Sequence, residues 1–180
     1  PNPLKPSIRI FAIEDAVIRD RNLETLFKGM LIQNIQCLKL PRNALGNKGI
    51  QTLFHSFTDR VRHIKKLDIS SNNIIGEEGG KIIADSKSFL QLFSIDLRMN
   101  KLGHEGFRLL IQSKNYPALT DLKLDKNKVE DSGAQQLVQI CNMNSLKVLK
   151  LRSNEIEPKG VQYLANSYAV RNLVTLDLSS

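Results

Sequence analysis

Residues 38–49 read LKLPRNALGNKG, a skeleton of L-x-L-x-x-N-x-L-G-x-x-G. Nearly the same skeleton returns as LDISSNNIIGEEG at 67–79, IDLRMNKLGHEG at 95–106, LKLDKNKVEDSG at 122–133 and LKLRSNEIEPKG at 149–160. LDLSS at 176–180 begins another copy. The copies start at residues 38, 67, 95, 122, 149 and 176, in steps of 29, 28, 27, 27 and 27. A degenerate copy, FAIEDAVI, precedes them at 11–18, with Ala16 in the asparagine position and Asn22 in that of the second glycine. Three residues before each copy stands Ile8, Ile35, Ile64, Leu92, Leu119, Leu146 or Leu173. A period of this size is the signature of a solenoid, in which each unit buries its apolar face only against its neighbours.

The alternating L-x-L has the period of a strand with one face buried. Its inward pairs are Leu38/Leu40, Leu67/Ile69, Ile95/Leu97, Leu122/Leu124, Leu149/Leu151 and Leu176/Leu178. Asn43, Asn72, Asn100, Asn127 and Asn154 follow. An amide both donates and accepts, so a column of them is expected to satisfy buried loop backbone of its own and adjacent coils. Gly46, Gly76 and Gly103 suit backbone angles that other residues resist. Asn47 and Asp131 read as helix N-caps, and Pro158 as a first-turn residue. Leu53, Ile83, Leu110, Leu137 and Leu164, with Ile50, Phe107, Ala134 and Val161, form the apolar columns that seal each helix onto the sheet. The extra residue in Asn72-Asn73-Ile74-Ile75-Gly76 predicts a bulged loop.

These motifs resemble the leucine-rich repeats of the ribonuclease-inhibitor type, over residues 8–180. The resemblance implies an α/β leucine-rich-repeat solenoid, a curved horseshoe with a parallel β-sheet on its concave face and helices on its convex face. One domain is expected across residues 1–180: a degenerate repeat at 8–34, repeats starting near 35, 64, 92, 119 and 146, and a partial repeat at 173–180. Pro1–Ser7 are expected to help cover the first repeat, and the stop at Ser180 suggests a longer natural chain. Relatives of this type include ribonuclease inhibitor, the Ran GTPase-activating protein, nucleotide-binding innate-immune receptors and effectors of intracellular bacteria; they share a scaffold rather than one function.

Outward-facing strand residues alternate with the buried ones in three columns. The middle column reads Lys39, Asp68, Asp96, Lys123, Lys150, Asp177; the next reads Pro41, Ser70, Arg98, Asp125, Arg152, Ser179; the preceding one reads Cys37, Lys66, Ser94, Asp121, Val148, Thr175. At the centre of this grid Asp96, Arg98, Lys123, Asp125, Lys150 and Arg152 are the expected contact residues for a partner protein. Mixed signs suit a specific protein surface, because each charge demands a complement.

Other chemistry finds little support in the sequence. The chain has 180 residues, a formal net charge of +8 and two cysteines, Cys37 and Cys141, that match no metal or redox spacing. His104-Glu105 lacks the second histidine of a zinc motif, and GEEGG at 76–80 lacks the ending of a phosphate loop. No cofactor, metal or catalytic group is expected. Cys141 reads as a small core residue and Cys37 as exposed. The basic balance favours an acidic protein, with nucleic acid as the runner-up partner. Arg60 to Lys66 is the densest basic stretch. Against nucleic acid, Phe54, Phe57 and Phe107 fall on core-facing helix positions, whereas single-strand platforms need exposed rings. An inhibitor of basic ribonucleases should itself be acidic, so that activity is disfavoured; regulation of a small GTPase stays an alternative implied by the resemblance alone. No secretory leader or membrane span is read, and an intracellular, reducing compartment is expected.

Overall fold

The computed structural model describes residues 8–29, 34–72, 76–139 and 142–179. Seven three-residue strands form one parallel sheet in sequence order: β1 Ile10–Ala12, β2 Cys37–Lys39, β3 Lys66–Asp68, β4 Ser94–Asp96, β5 Asp121–Lys123, β6 Val148–Lys150 and β7 Thr175–Asp177. Each strand starts one residue before its L-x-L, and the register pairs Leu38, Leu67, Ile95, Leu122, Leu149 and Leu176 across the sheet. A three-residue strand is marginal by itself. Stacking at one strand spacing per repeat makes it cooperative.

The return segments are helical: α1 Arg19–Gly29, α2 Asn47–Gln51, α3 Thr58–Val61, α4 Gly76–Asp85, α5 Gly103–Gln112, α6 Glu130–Gln139 and α7 Pro158–Ala165. A π-helical turn, Thr52–Ser56, lies between α2 and α3. Between sheet and helices runs one continuous core that includes all five inward pairs from β2 to β6. Phe27 stacks on Phe57 at 5.2 Å between centroids, and Phe54 meets Phe89 at 4.7 Å. Of the helical columns Leu53, Ile83, Leu110, Leu137 and Leu164 are buried, as are Ile50, Phe107 and Ala134. Val161 departs from the expectation at 43% exposure, since no further described helix packs against α7.

The asparagines do what their chemistry predicts. Asn127 donates to the carbonyls of Leu97, Leu124 and Asp125 and accepts from the Leu102 amide. Asn154 accepts from the amides of Asn127 and Val129, and Asn72 from those of Asn43 and Leu45. Asn43 accepts from Ala16 in the first coil, which has no amide side chain of its own to offer. On either side of the asparagines the chain turns through left-handed residues that are not glycine: Arg42 and Ala44, Met99 and Lys101, Lys126 and Lys128, Ser153 and Glu155 all have φ between 50° and 59°. Such angles are costly for ordinary side chains and persist where surrounding bonds over-determine them.

Gly76 and Gly103 have positive φ as expected, whereas Gly46 is extended at −102° and Glu130 takes the left-handed position in its repeat. The capping expectations need correction. Gly46, not Asn47, is the N-cap of α2, and the Asn47 amide reaches across to Glu78. Asp131 lies inside α6 and accepts from the amides of Glu157 and Gly160, so it caps the following helix. Asp20 does the same for Gly46. Helix C-termini are served in the same cross-repeat manner: Ser86 and Ser88 donate to the Phe54 carbonyl, Ser113 to Ala84 and Ser167 to Leu137. The Tyr116 hydroxyl donates to Ile83, and burial pushes its pKa up, so it stays protonated as a donor. Pro158 opens α7 as expected. The bulge expected at 73–75, the cover expected from Pro1–Ser7, and Cys141 lie outside the described residues.

Two substitutions test this account by urea denaturation. Asn127→Leu leaves the Leu102 amide without its acceptor and takes one of two donors from each of the Leu97, Leu124 and Asp125 carbonyls, so it should cost about 1–3 kcal/mol, the range for one buried group left dry. Gly80→Ala would place a Cβ 2.6 Å from the Gly106 Cα, where backbone cannot yield readily. It should cost about 1–3 kcal/mol. Unchanged midpoints would contradict both.

Candidate functional site

The sheet register aligns the outward columns as the sequence predicts: Lys39, Asp68, Asp96, Lys123, Lys150 and Asp177 stand side by side on consecutive strands. Strands lie about 4.8 Å apart, so neighbouring side chains of a column touch the same ligand atoms. Just past the C-terminal ends of the strands lies an open groove of about 490 Å³, lined in part by Arg42, Arg98, Asp125, Lys126 and Arg152. Ser70, Ser71, Met99 and Ser153 complete its wall.

The six expected contact residues divide into three groups. Arg98, Asp125 and Arg152 line the groove. Lys123 and Lys150 occupy the adjacent column on β5 and β6, half-buried, with the Lys123 Nζ 3.9 Å from Asp121 Oδ2. Asp96 is different. Its side chain is 9% exposed and bound by Arg98, whose Nη2 lies 2.7 Å from Oδ2 and whose Nε lies 2.9 Å from both oxygens. The Arg98 backbone amide adds a fourth bond at 3.1 Å. Asp96 therefore positions Arg98 and presents little surface of its own. The Arg98 side chain as a whole stays 46% exposed. The hydrogen bond to Asp96 raises its pKa above the ordinary arginine value, against the opposing effect of burial, and the charges of Asp96, Asp125 and Asp68 add to the rise.

The same acid-to-i+2 motif recurs in Asp68, which accepts from the Ser70 amide and hydroxyl, and in Asp177, which accepts from those of Ser179. The Ser179 bonds lower the Asp177 pKa. On β6 the middle position is Lys150, which cannot accept. There Asp125, from the neighbouring coil, accepts from the Arg152 amide at 2.9 Å. The Arg152 guanidinium is exposed and forms no ion pair among the described residues, although its charge helps to lower the Asp177 pKa.

Sequence reasoning missed Arg42, Ser71, Met99, Lys126 and Ser153. All five precede an asparagine, so the column was readable. Their left-handed backbone is what turns them onto the groove wall instead of leaving them in the loop. The expected basic stretch is divided: Arg60 donates to the Phe27 carbonyl and Arg62 pairs with Asp59, while Lys65 and Lys66 face another groove, at the N-terminal ends of the strands. Cys37 is half-buried in that same groove. His104 and Glu105 stand in the first turn of α5, where Glu105 pairs with Arg108 and its pKa is lowered chiefly by that hydrogen bond. Phe54, Phe57 and Phe107 are buried, and Tyr168, 73% exposed, has Arg171 over its ring at 4.0 Å. Among the described residues no three His, Cys, Asp or Glu side chains converge as a metal site requires, and no helix is long and apolar enough to cross a membrane.

Comparison with known proteins agrees with the geometry. Residues 62–84, 117–138 and 142–165 match the leucine-rich-repeat family model. The solved structure of InlP from Listeria monocytogenes superposes with a TM-score of 0.60 at 18% identity, over 95% of this chain and 43% of that one. The chain thus spans less than half the length of InlP. No curated protein matches the sequence. The fold is a leucine-rich-repeat α/β solenoid.

A double-mutant cycle on Asp96→Ala and Arg98→Ala should give a coupling of about 1 kcal/mol, above the level of fully exposed pairs but reduced because the Arg98 side chain is half in water. The same cycle on Asp59 and Arg62 should give a coupling near zero. Equal couplings would mean that Asp96 does not hold Arg98.

Proposed function

We propose that the chain is a non-catalytic interaction module of the ribonuclease-inhibitor repeat type that holds a partner protein on its concave face. The supporting observation is the groove at the strand C-termini: Arg98 is held in place by a nearly buried carboxylate, and Arg152 is exposed with no ion pair among the described residues. Open parallel sheets bind ligands beyond the carboxyl ends of their strands, and repeat solenoids use their concave surface for partners. Arg98, Lys123, Asp125, Lys150 and Arg152 form the contact centre, with Asp96 as the positioning residue. Full α-helices in the return segments, eight to eleven residues in α1 and α4–α7, support the repeat type. Mixed charge favours a structured protein surface over a polyanion, because Asp125 sits between the two arginines and would repel a uniform line of phosphates.

Affinity capture from cell lysate tests this reading, with and without nuclease. The wild-type chain is compared with Lys123→Glu/Arg152→Glu, which leaves the Asp96–Arg98 pair intact, and with that variant carrying Arg98→Glu as well. A protein captured regardless of nuclease by the wild type, and lost with both variants at unchanged thermal melting, is the expected result. Retention by both variants would overturn the assignment, as would recovery that vanishes with nuclease.

A further inference from the structure

The opposite rim of the sheet, at the N-terminal ends of the strands, carries a second groove of about 420 Å³ that the proposed contact centre does not include. Four cations line it: Arg9, Lys39, Lys65 and Lys66. Among the described residues, no carboxylate does. None of the four forms an ion pair among the described residues, although ion pairs are common elsewhere on the chain. The closest acid along β3, Asp68, is committed to the Ser70 amide and hydroxyl at the other rim. The rest of the wall is largely apolar: Ile10, 64% exposed, with the half-buried Cys37 and Phe93.

The floor is rigid. The Arg9 carbonyl accepts from the amides of Gln36 and Cys37, the Gln36 carbonyl from Lys65 and Lys66, and the Lys65 carbonyl from Phe93 and Ser94. Each coil is pinned to the next where the groove passes over it, so a ligand need not order the backbone, and the entropic cost of binding falls.

The geometry points to a docking site for an acidic, extended segment of a partner protein, with carboxylates on the lysines and an apolar side chain against Ile10, Cys37 and Phe93. Charge complementarity selects the sign, since four cations with no ion pair among the described residues repel one another until a polyanion covers them. The apolar wall selects a polypeptide over nucleic acid. Base stacking needs an open ring face, and the Lys66 ammonium already sits 5.4 Å from the Phe93 centroid.

The probe is a short fluorescein-labelled peptide in which Asp and Glu alternate with Leu, titrated by fluorescence anisotropy at low salt. Amide chemical shifts of the labelled protein locate it. The expected result is saturable binding that shifts Ile10, Cys37, Lys66 and Phe93. Affinity should fall about tenfold or more with Lys65→Glu/Lys66→Glu. It should also fall with Ile10→Ser, and with Asn, Gln or Ser versions of the peptide. All three mutated side chains project from the surface, so unchanged melting curves are expected and are checked alongside. Lack of binding up to millimolar protein would overturn the proposal. So would shifts confined to Arg98 and Arg152, or equal binding by the variants. Tighter binding of an oligothymidylate or of phosphatidylserine vesicles would replace the acidic segment with those ligands. Because Lys123→Glu/Arg152→Glu lies on the other rim, it should leave this binding unchanged, which separates the two sites.

Discussion

The structure depends on one side-chain amide repeated once per coil. A strand of three residues cannot hold itself, and the sharp turn after it exposes carbonyls and amides to a core without water. Asn43, Asn72, Asn100, Asn127 and Asn154 are buried, and each bonds both its own coil and the one before it. Their bonds hold the flanking non-glycine residues in left-handed conformations. Those residues in turn aim Arg42, Met99, Lys126 and Ser153 onto the rim of the sheet. Backbone satisfaction and site construction are therefore the same event. A change to an asparagine would move the groove wall as well as the core.

Polar groups elsewhere follow a common rule: a repeat completes its neighbour. Asp20 and Asp131 cap the helix of the following coil, and serines of a later coil close the C-terminus of an earlier helix. The glycines serve the same close approach, since a Cβ on Gly80 would enter the Gly106 backbone. These helix ends are completed from a neighbouring coil, so single units have little stability alone and neighbouring units gain it together.

The two rims of the sheet differ in a way that follows from chain direction. Past the strand C-termini, outward carboxylates meet amides and hydroxyls two residues on, so the rim at Arg98 is pre-paired and of mixed sign. Before the strand N-termini, the backbone carbonyls already accept from the next coil's amides, and side-chain bonds concentrate further along the sheet, at Ser94 with Asp121 and at Thr120 with the Phe93 carbonyl. Among the described residues Arg9, Lys65 and Lys66 form no ion pair there, nor does Lys39 at the end of β2, and they line a groove with Ile10 and Phe93. Two surfaces of different chemistry thus arise from one strand pattern.

By itself the sequence determined the repeat register, the inward leucines, the asparagine column and the three outward columns. All of these rest on period-two alternation and on a fixed step between copies, which are local quantities. Only the tertiary structure decided what each outward residue was free to do. Asp96 and Lys123 share a column, yet Asp96 is nearly buried in a close ion pair with Arg98, while Lys123 stays more exposed, 3.9 Å from Asp121. Asp131 has the look of a cap for its own helix, but α6 begins at Glu130 and the amides in need lie one coil further on. In the basic stretch, Arg62 finds Asp59 three residues away, but Arg60 reaches the Phe27 carbonyl and Lys66 the Phe93 ring only because the stack brings those coils together. Periodicity reveals which way a side chain points; its partner is set by distance between coils, and that distance exists only after the repeats have stacked.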